Sequence, residues 1–514
     1  MLMKTKRKIV GVLLALCLAL IFVPTTALAE ENGQSSKTVI TSVAELQQFA
    51  QDVNSGKYDN KTDAIVMLNA DLDLSGVSWT PIGVSDSDGN VKHCFSGKFY
   101  GNGHTISNLD FSSVYGNGRE LIGGFFGYIE NAEVSGLNIK GKIDINSAKE
   151  YTYFGMIAGC ADESNIFDCV SDVSFTNNGN YVYGLLGMIG YAENTKIRYC
   201  ENQGNLNITG DMGSLYAGGI AGCITGSTEV SYCKNTGNTT FSASHGGSIV
   251  GQAGENTKVT NCYATGKLTP IGRGIEDLGG IAGTVSKDAI ISHCYFAGDI
   301  DLSQYTATPP YGRFGGIVGK PDADSATFEN NYFAEKENVT SGGKGVSAGT
   351  AKTLDYMKTE EFYKEIKGNG GDYIYNPGGT PVFPALKYSV SFAVTPEDAS
   401  NVSIEVNGQK VTNGSMDLAA GTYTVKATAD NCEVLTKEIT ISADTATHMQ
   451  ILALNTKQTD AVTPAGKTDQ SKNNTSAQTG DSMNLGLWIA LLLISGGAAA
   501  GTAVVNRKKK YSTK

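Results

Sequence analysis

The chain is poor in the residues that mark most chemistries. Its five histidines, His93, His104, His245, His293 and His448, lie far apart and form no HExxH pair, which excludes a zinc peptidase of that type. Ten cysteines in 514 residues are too sparse for a disulfide miniprotein, and none form the CxxC pair that a structural zinc site wants. There are 11 prolines against 63 glycines with no collagen period, and the 40% hydrophobic content suits a folded chain of two or three domains. Cations are also short: a formal charge of -11 argues against a basic nucleic-acid binder. No nucleic acid, metal or cofactor is expected as a partner.

What is present is clearest at the two ends. Lys4, Lys6, Arg7 and Lys8 precede an apolar run from Ile9 to Val23, and Ala27, Leu28 and Ala29 follow in the small-x-small form that signal peptidase accepts. Residues 1–29 therefore read as a signal peptide, cut between Ala29 and Glu30. From Leu485 to Val505 runs a second apolar stretch of 21 residues, long enough for a single transmembrane helix across the roughly 30 Å hydrocarbon core. Arg507, Lys508, Lys509 and Lys510 keep its far end cytoplasmic. This layout resembles the cell-wall sorting signal of Gram-positive surface proteins, with its LPxTG-type pentapeptide, apolar helix and basic tail. Ser476, Ala477, Gln478, Thr479 and Gly480 keep the x-Thr-Gly part, with Ser and Ala where the family has Leu and Pro. The resemblance implies that sortase cuts between Thr479 and Gly480 and joins Thr479 to peptidoglycan; the alternative is an uncut membrane helix. Either places the protein on the extracellular face, anchored to cell wall or cytoplasmic membrane. Without the four signal and five tail cations, 31 cations face 51 acids, a net -20 that favours solubility outside the cell.

The middle is a repeat array. A glycine-rich apolar signature occurs seven times: Gly124 to Gly127, Gly155 to Gly159, Gly184 to Gly187, Gly218 to Gly222, Gly247 to Gly251, Gly279 to Gly283 and Gly315 to Gly319. The final glycines are separated by 32, 28, 35, 29, 32 and 36 residues. After each of the first six signatures, Val or Ile stands three places before a reference position held by Leu137, Cys169, Cys200, Cys233, Cys262 and Cys294. Apolar residues then follow by twos, as in Ile143 and Ile145, Val173 and Phe175, Leu206 and Ile208. Period two that returns every 30 or so residues is a stack of strands with one buried face, and the three-residue step before the cysteine reads as a bend. The fold class expected is all-β: a right-handed parallel β-helix over residues 30–388, then a small β-sandwich.

The signatures resemble the GLUG repeats of bacterial surface proteins, which also occur near the N-termini of some immunoglobulin A1 peptidases. Asp71-Leu-Asp-Leu74, Trp79 to Gly83 and Phe95 to Leu109 resemble the entry to such an array, so the likeness covers roughly residues 38–388. Ser42 and Glu45 form a capping box before Val43, Leu46, Phe49, Ala50 and Val53, a helical N-terminal cap. Leu354, Met357, Phe362 and Ile366 suggest helical cover at the other end. Alternating runs over 389–454 read as an immunoglobulin-like sandwich, with Pro396 and Gly421 to Val425 resembling PEGA modules. Residues 455–480 are a disordered Ser/Thr/Asn-rich linker, and 481–514 the sorting signal or membrane anchor.

Few residues offer chemistry. The five cysteines at one repeat position read as a buried column of small hydrophobes rather than a disulfide ladder. Asp71 and Asp73 share parity, as paired catalytic carboxylates must, yet lie in the entry strand. Tyr263, Tyr295 and Tyr332 each follow the reference position, face outward and line up. They read either as an exposed ladder for sugar rings or as cross-rung stacking that stiffens the wall. With no convergent catalytic constellation, the expectation is a non-enzymatic surface protein, adhesin-like or structural, whose partners are the cell envelope and a glycan, host protein or neighbouring cell. The alternative is a surface lyase or glycosidase on a β-helix, which an acidic groove on adjacent rungs would favour.

Overall fold

The computed structural model describes residues 37–457 apart from 86–90, 111–119, 146–150, 179–180, 210–211, 243–244, 272–276, 307–312, 322–324, 338, 344–345, 385 and 443–444. Ala29, Glu30, Thr479, Gly480, most of the linker and the C-terminal apolar run lie outside the described residues. Among the described residues no helix is long and apolar enough to cross a membrane.

Strands of Val, Ile and Leu with one apolar face cannot bury that face within a single coil, so coils stack and share it. The bulk of the chain is accordingly a parallel β-solenoid, whose three walls are sheets of ten, thirteen and twelve strands among the described residues. The first wall sets Val134, Ile166, Ile197, Val230, Val259 and Ile291 rung on rung, all fully buried. The second aligns Ile143, Phe175, Leu206, Thr239 and Leu268. In the Cys169 repeat the apolar pair is offset from its neighbours by two residues: Val173 stands opposite Gly141, and Phe175 is the partner of Ile143.

The third wall carries the glycine signature, with one correction. Gly155 pairs with Gly187 and Ile189 with Ala221, so the third signature is Gly187-Met-Ile-Gly190 and not Gly184 to Gly187. Final glycines then fall at 159, 190 and 222, and the uneven steps of 28 and 35 become 31 and 32. Close approach demands these glycines: a Cβ at Gly279 would overlap the Ala282 carbonyl, and one at Gly251 would lie 2.5 Å from the Ala217 nitrogen.

The bend before each reference position is one residue in the left-handed region. Gly136, Asp168, Tyr199, Tyr232, Asn261, His293 and Asn330 have φ between 51° and 61°. Glycine and asparagine adopt this readily; a tyrosine does so at a cost of about 1–2 kcal/mol. Cys169, Cys200, Cys233, Cys262 and Cys294 turn inward directly after it as one buried column. They do more than fill space. Cys262 Sγ donates to the Thr260 carbonyl at 3.3 Å and accepts from the Cys233 N–H at 3.4 Å, and Cys294 repeats both contacts with Ser292 and Cys262. Where the cysteines end, the Asn331 amide oxygen accepts from the Cys294 N–H at 2.9 Å. The corner takes these amides out of the strand ladder, and the side chain on the next rung supplies the missing acceptor. All nine described cysteines are free thiols, and burial pushes Cys169, Cys233 and Cys262 well above the usual thiol range.

Helix α1, Val43–Asn54, closes the N-terminal end. Ser42 accepts from Glu45 N–H at 3.3 Å, Glu45 accepts from Thr41 N–H at 2.8 Å, and Leu46, Phe49, Ala50 and Val53 are buried. Helix α2, Glu360–Gly368, does not close the opposite end as the sequence suggested. Its Phe362 and Ile366, with Met357, lie along the outside of the second wall, and Leu354 is exposed. Residues 387–453 form two sheets of three and four strands around one apolar core that includes Val390, Val425 and Leu452. Tyr388 fixes this module to the coil by packing with Met67, Tyr100 and Phe167.

Cys262→Ala deprives the Cys233 N–H of its acceptor and is expected to cost about 1–3 kcal/mol in denaturant unfolding, while Cys262→Ser retains most of the stability. Equal losses would reduce the thiol to a space-filler.

Candidate functional site

Tyr263, Tyr295 and Tyr332 point outward in one column, but the exposed ladder is overturned. All three are buried beneath Met357, Phe362, Ile366 and Tyr373. Tyr263 and Tyr295 stack 5.0 Å apart at 7°, so one face of each ring is spent on the other, and Phe362 meets Tyr295 and Tyr332 edge-on at 5.8 and 5.3 Å. The Tyr295 hydroxyl donates to the Pro381 carbonyl, and Asn369 donates to the Tyr332 hydroxyl at 2.7 Å. An outward column of three tyrosines is an apolar stripe, and the chain folds back to cover it.

Asp71 and Asp73 also serve the coil. Asp71 accepts from Thr105 N–H at 2.9 Å and lies 3.1 Å from His104 Nδ1; Asp73 accepts from Asn108 at 2.9 Å and from Ser75. These bonds hold both carboxyls below the usual range, opposite to the requirement of a catalytic acid.

The features that sequence reasoning missed lie on the outside of the third wall. Tyr153, Leu185, Tyr216, His245, Asp277 and Arg313 stand in one register column, each two residues before the first glycine of its signature. That spacing was a usable signal once Gly187 replaced Gly184. Asp277 is 0% exposed. His245 Nδ1 lies 2.8 Å from its Oδ2, Arg313 Nε donates to its Oδ1, and Tyr216 stacks on His245 at 4.6 Å. Burial alone would push the Asp277 carboxyl up, but contacts with His245 and Arg313 hold it below its usual value.

A second column, three residues after the final glycine, aligns Glu130, Asp162 and Glu193. Burial and then the Glu193 charge push Asp162 up. Tyr191 donates to Glu193 at 3.1 Å and lies 2.8 Å from the Thr225 hydroxyl. Among the described residues no group of His, Cys, Asp and Glu is arranged to hold a metal ion.

The family described as the GLUG motif matches residues 242–269, the stretch that runs from His245 through the Gly247 to Gly251 kink and Cys262 to Leu268. The chain carries a GLUG motif. No curated protein matches it. Among solved structures, it is similar to a Bacteroides ovatus protein provisionally called an immunoglobulin A1 protease, at 16% identity and a TM-score of 0.40, over 67% of this chain and 91% of that one. A second, called IgA1 protease, is 15% identical with a TM-score of 0.39, over 68% of this chain and 25% of that chain.

Asp277→Asn removes the shared partner of His245 and Arg313 and is expected to cost about 3 kcal/mol at pH 7. Because the folded pKa lies below the unfolded one, that contribution is present above about pH 4 and is lost as pH falls through the folded value. Unfolding of both proteins at pH 7 and pH 3 should show the gap narrowing with acid; a constant gap would remove the charge from the explanation.

Proposed function

We propose that the chain is a non-enzymatic surface protein, anchored to the cell wall or membrane by its C-terminal signal, whose rod displays loops outside the cell to a glycan, a host protein or a neighbouring cell. The observation that carries this reading is where the charges go. Lys140 meets Asp172 at 3.2 Å, Lys234 meets Glu201 at 2.7 Å, Lys267 meets Asp301 at 2.5 Å and Lys336 meets Asp299 at 2.6 Å, each pair bridging different coils. These ion pairs are spread along the stacked rungs and link one coil to another, as expected of a stalk. The sorting-like ending, the signal-like start and the acidic composition agree with export and anchoring.

One observation favours the enzyme alternative. Glu130, Asp162 and Glu193 place carboxyls on adjacent rungs, roughly 4.8 Å apart along the axis, and Asp162 is raised as a general acid would be. A polysaccharide lyase or glycosidase is built on such pairs.

The two readings separate experimentally. Thr479→Ala should move the protein from the wall fraction to the membrane fraction of host cells; no shift means an uncut anchor, and a cytosolic protein ends the surface reading. Release of reducing or unsaturated sugar from polysaccharide, abolished by Asp162→Asn, would replace the binding role with an enzymatic one.

A further inference from the structure

The C-terminal module also meets the coil through polar contacts and leaves a cleft beside them. Tyr388 donates to Asp168 Oδ2 at 3.3 Å and Ser442 donates to Asn102 Oδ1 at 3.0 Å. The cleft is about 300 Å³, at the small end of the range for small-molecule sites, which favour junctions between folded units. From the coil, Asn102, Asn138 and Asp168 line it; from the module, Thr422, Thr440 and Ser442. Gly103, Gly136 and Gly421 lie on its walls, and their missing side chains leave the space open. Gly136 holds the left-handed corner one rung before Asp168, where the next rung after it has Tyr199. A ring at the Gly136 corner would take up room that the cleft now has.

The lining selects a ligand class. Among the described residues no lysine, arginine or histidine lines the cleft, so a phosphate, sulfate or carboxylate would find no counter-charge there. Its larger apolar side chains are Val170 and Ile441, too little surface for a lipid chain or an aromatic ring system. The wall is rich in acceptors. Among the described residues the Tyr388 hydroxyl is the side-chain donor to Asp168, and burial pushes its carboxyl up to about 6. At neutral pH it is a carboxylate held partly out of water with room for more donors. A partner that supplies several uncharged donors at close spacing satisfies it, and vicinal hydroxyls do so.

We propose that this cleft binds a neutral saccharide of one or two rings, with Asp168 accepting from adjacent ring hydroxyls and the threonines and Ser442 of the module completing the contacts. The site belongs to neither folded part alone: the coil brings the carboxylate and the module brings the hydroxyls. The inference rests on the binding reading above and gives it a location and a ligand class.

Titration calorimetry of the intact detergent-purified chain, with glucose, galactose, N-acetylglucosamine and their β-linked disaccharides as probes, tests it. At least one probe should bind, with affinity reduced tenfold or more by Asp168→Asn and by Thr440→Trp. The second variant fills the cleft from an exposed strand position and keeps the test sound if the first disturbs docking; thermal unfolding of both checks that they are folded. No binding by any probe, or binding unchanged in a folded Thr440→Trp protein, overturns the proposal. Failure here with normal surface display removes the cleft and leaves the anchored rod, whereas a protein missing from the surface removes the reading beneath it.

Discussion

In the walls of this protein each backbone amide pairs with a carbonyl on a neighbouring rung, so every coil has to follow the path of the one before it. That single constraint generates most of the rest. If one coil bends, its neighbours bend at the same place, which is why seven left-handed corners fall in one column. If the bend frees an amide, the same amide is freed on each rung, which is why one thiol column answers the need and Asn331 inherits it where cysteine runs out. The glycine kinks repeat for the same reason: the backbone approaches itself at one point per turn, and a side chain there would meet a carbonyl.

Inside and outside obey different rules. The lumen is shared by the stacked coils, so its columns repeat apolar or small residues, mostly Val or Ile on the first wall and Cys after the corner, with more variety on the second wall. The outer face touches whatever the chain later lays on it. Three consecutive outward tyrosines make a stripe that water does not solvate well, and residues 353–383 return to cover it. Where outward residues are charged, the same rung spacing pairs them: Asp277 with His245 and Arg313, Lys234 with Glu201. Where the signs are alike, as in Glu130, Asp162 and Glu193, burial and then the neighbouring Glu193 charge raise the Asp162 carboxyl.

A stack of coils of this kind is a surface on which sites are assembled from parts far apart in sequence. The C-terminal module illustrates it: Tyr388 reaches Asp168 and Ser442 reaches Asn102, joining a corner of the coil to a strand end more than two hundred residues away. Such junctions are where a repeat protein, whose coils are individually alike, acquires a unique cleft.

The amino-acid sequence by itself determined the stacked parallel coils, the inward columns, the corner before each cysteine and the N-terminal cap, because each rests on a local period or on contacts that recur every turn. It made Gly184 the first glycine of the third signature, and only the pairing of Gly187 with Gly155 shows that the kink begins at Gly187. It put the tyrosines outward correctly and could not say that they are covered, because the cover comes from Phe362 and Tyr373, outside the repeat. The tertiary structure alone decided which outward residues meet: His245 with Asp277, Glu130 with Asp162, Tyr388 with Asp168. Outward positions carry no repeating burial, so no periodic signal marks them until neighbouring rungs and returning segments are in place.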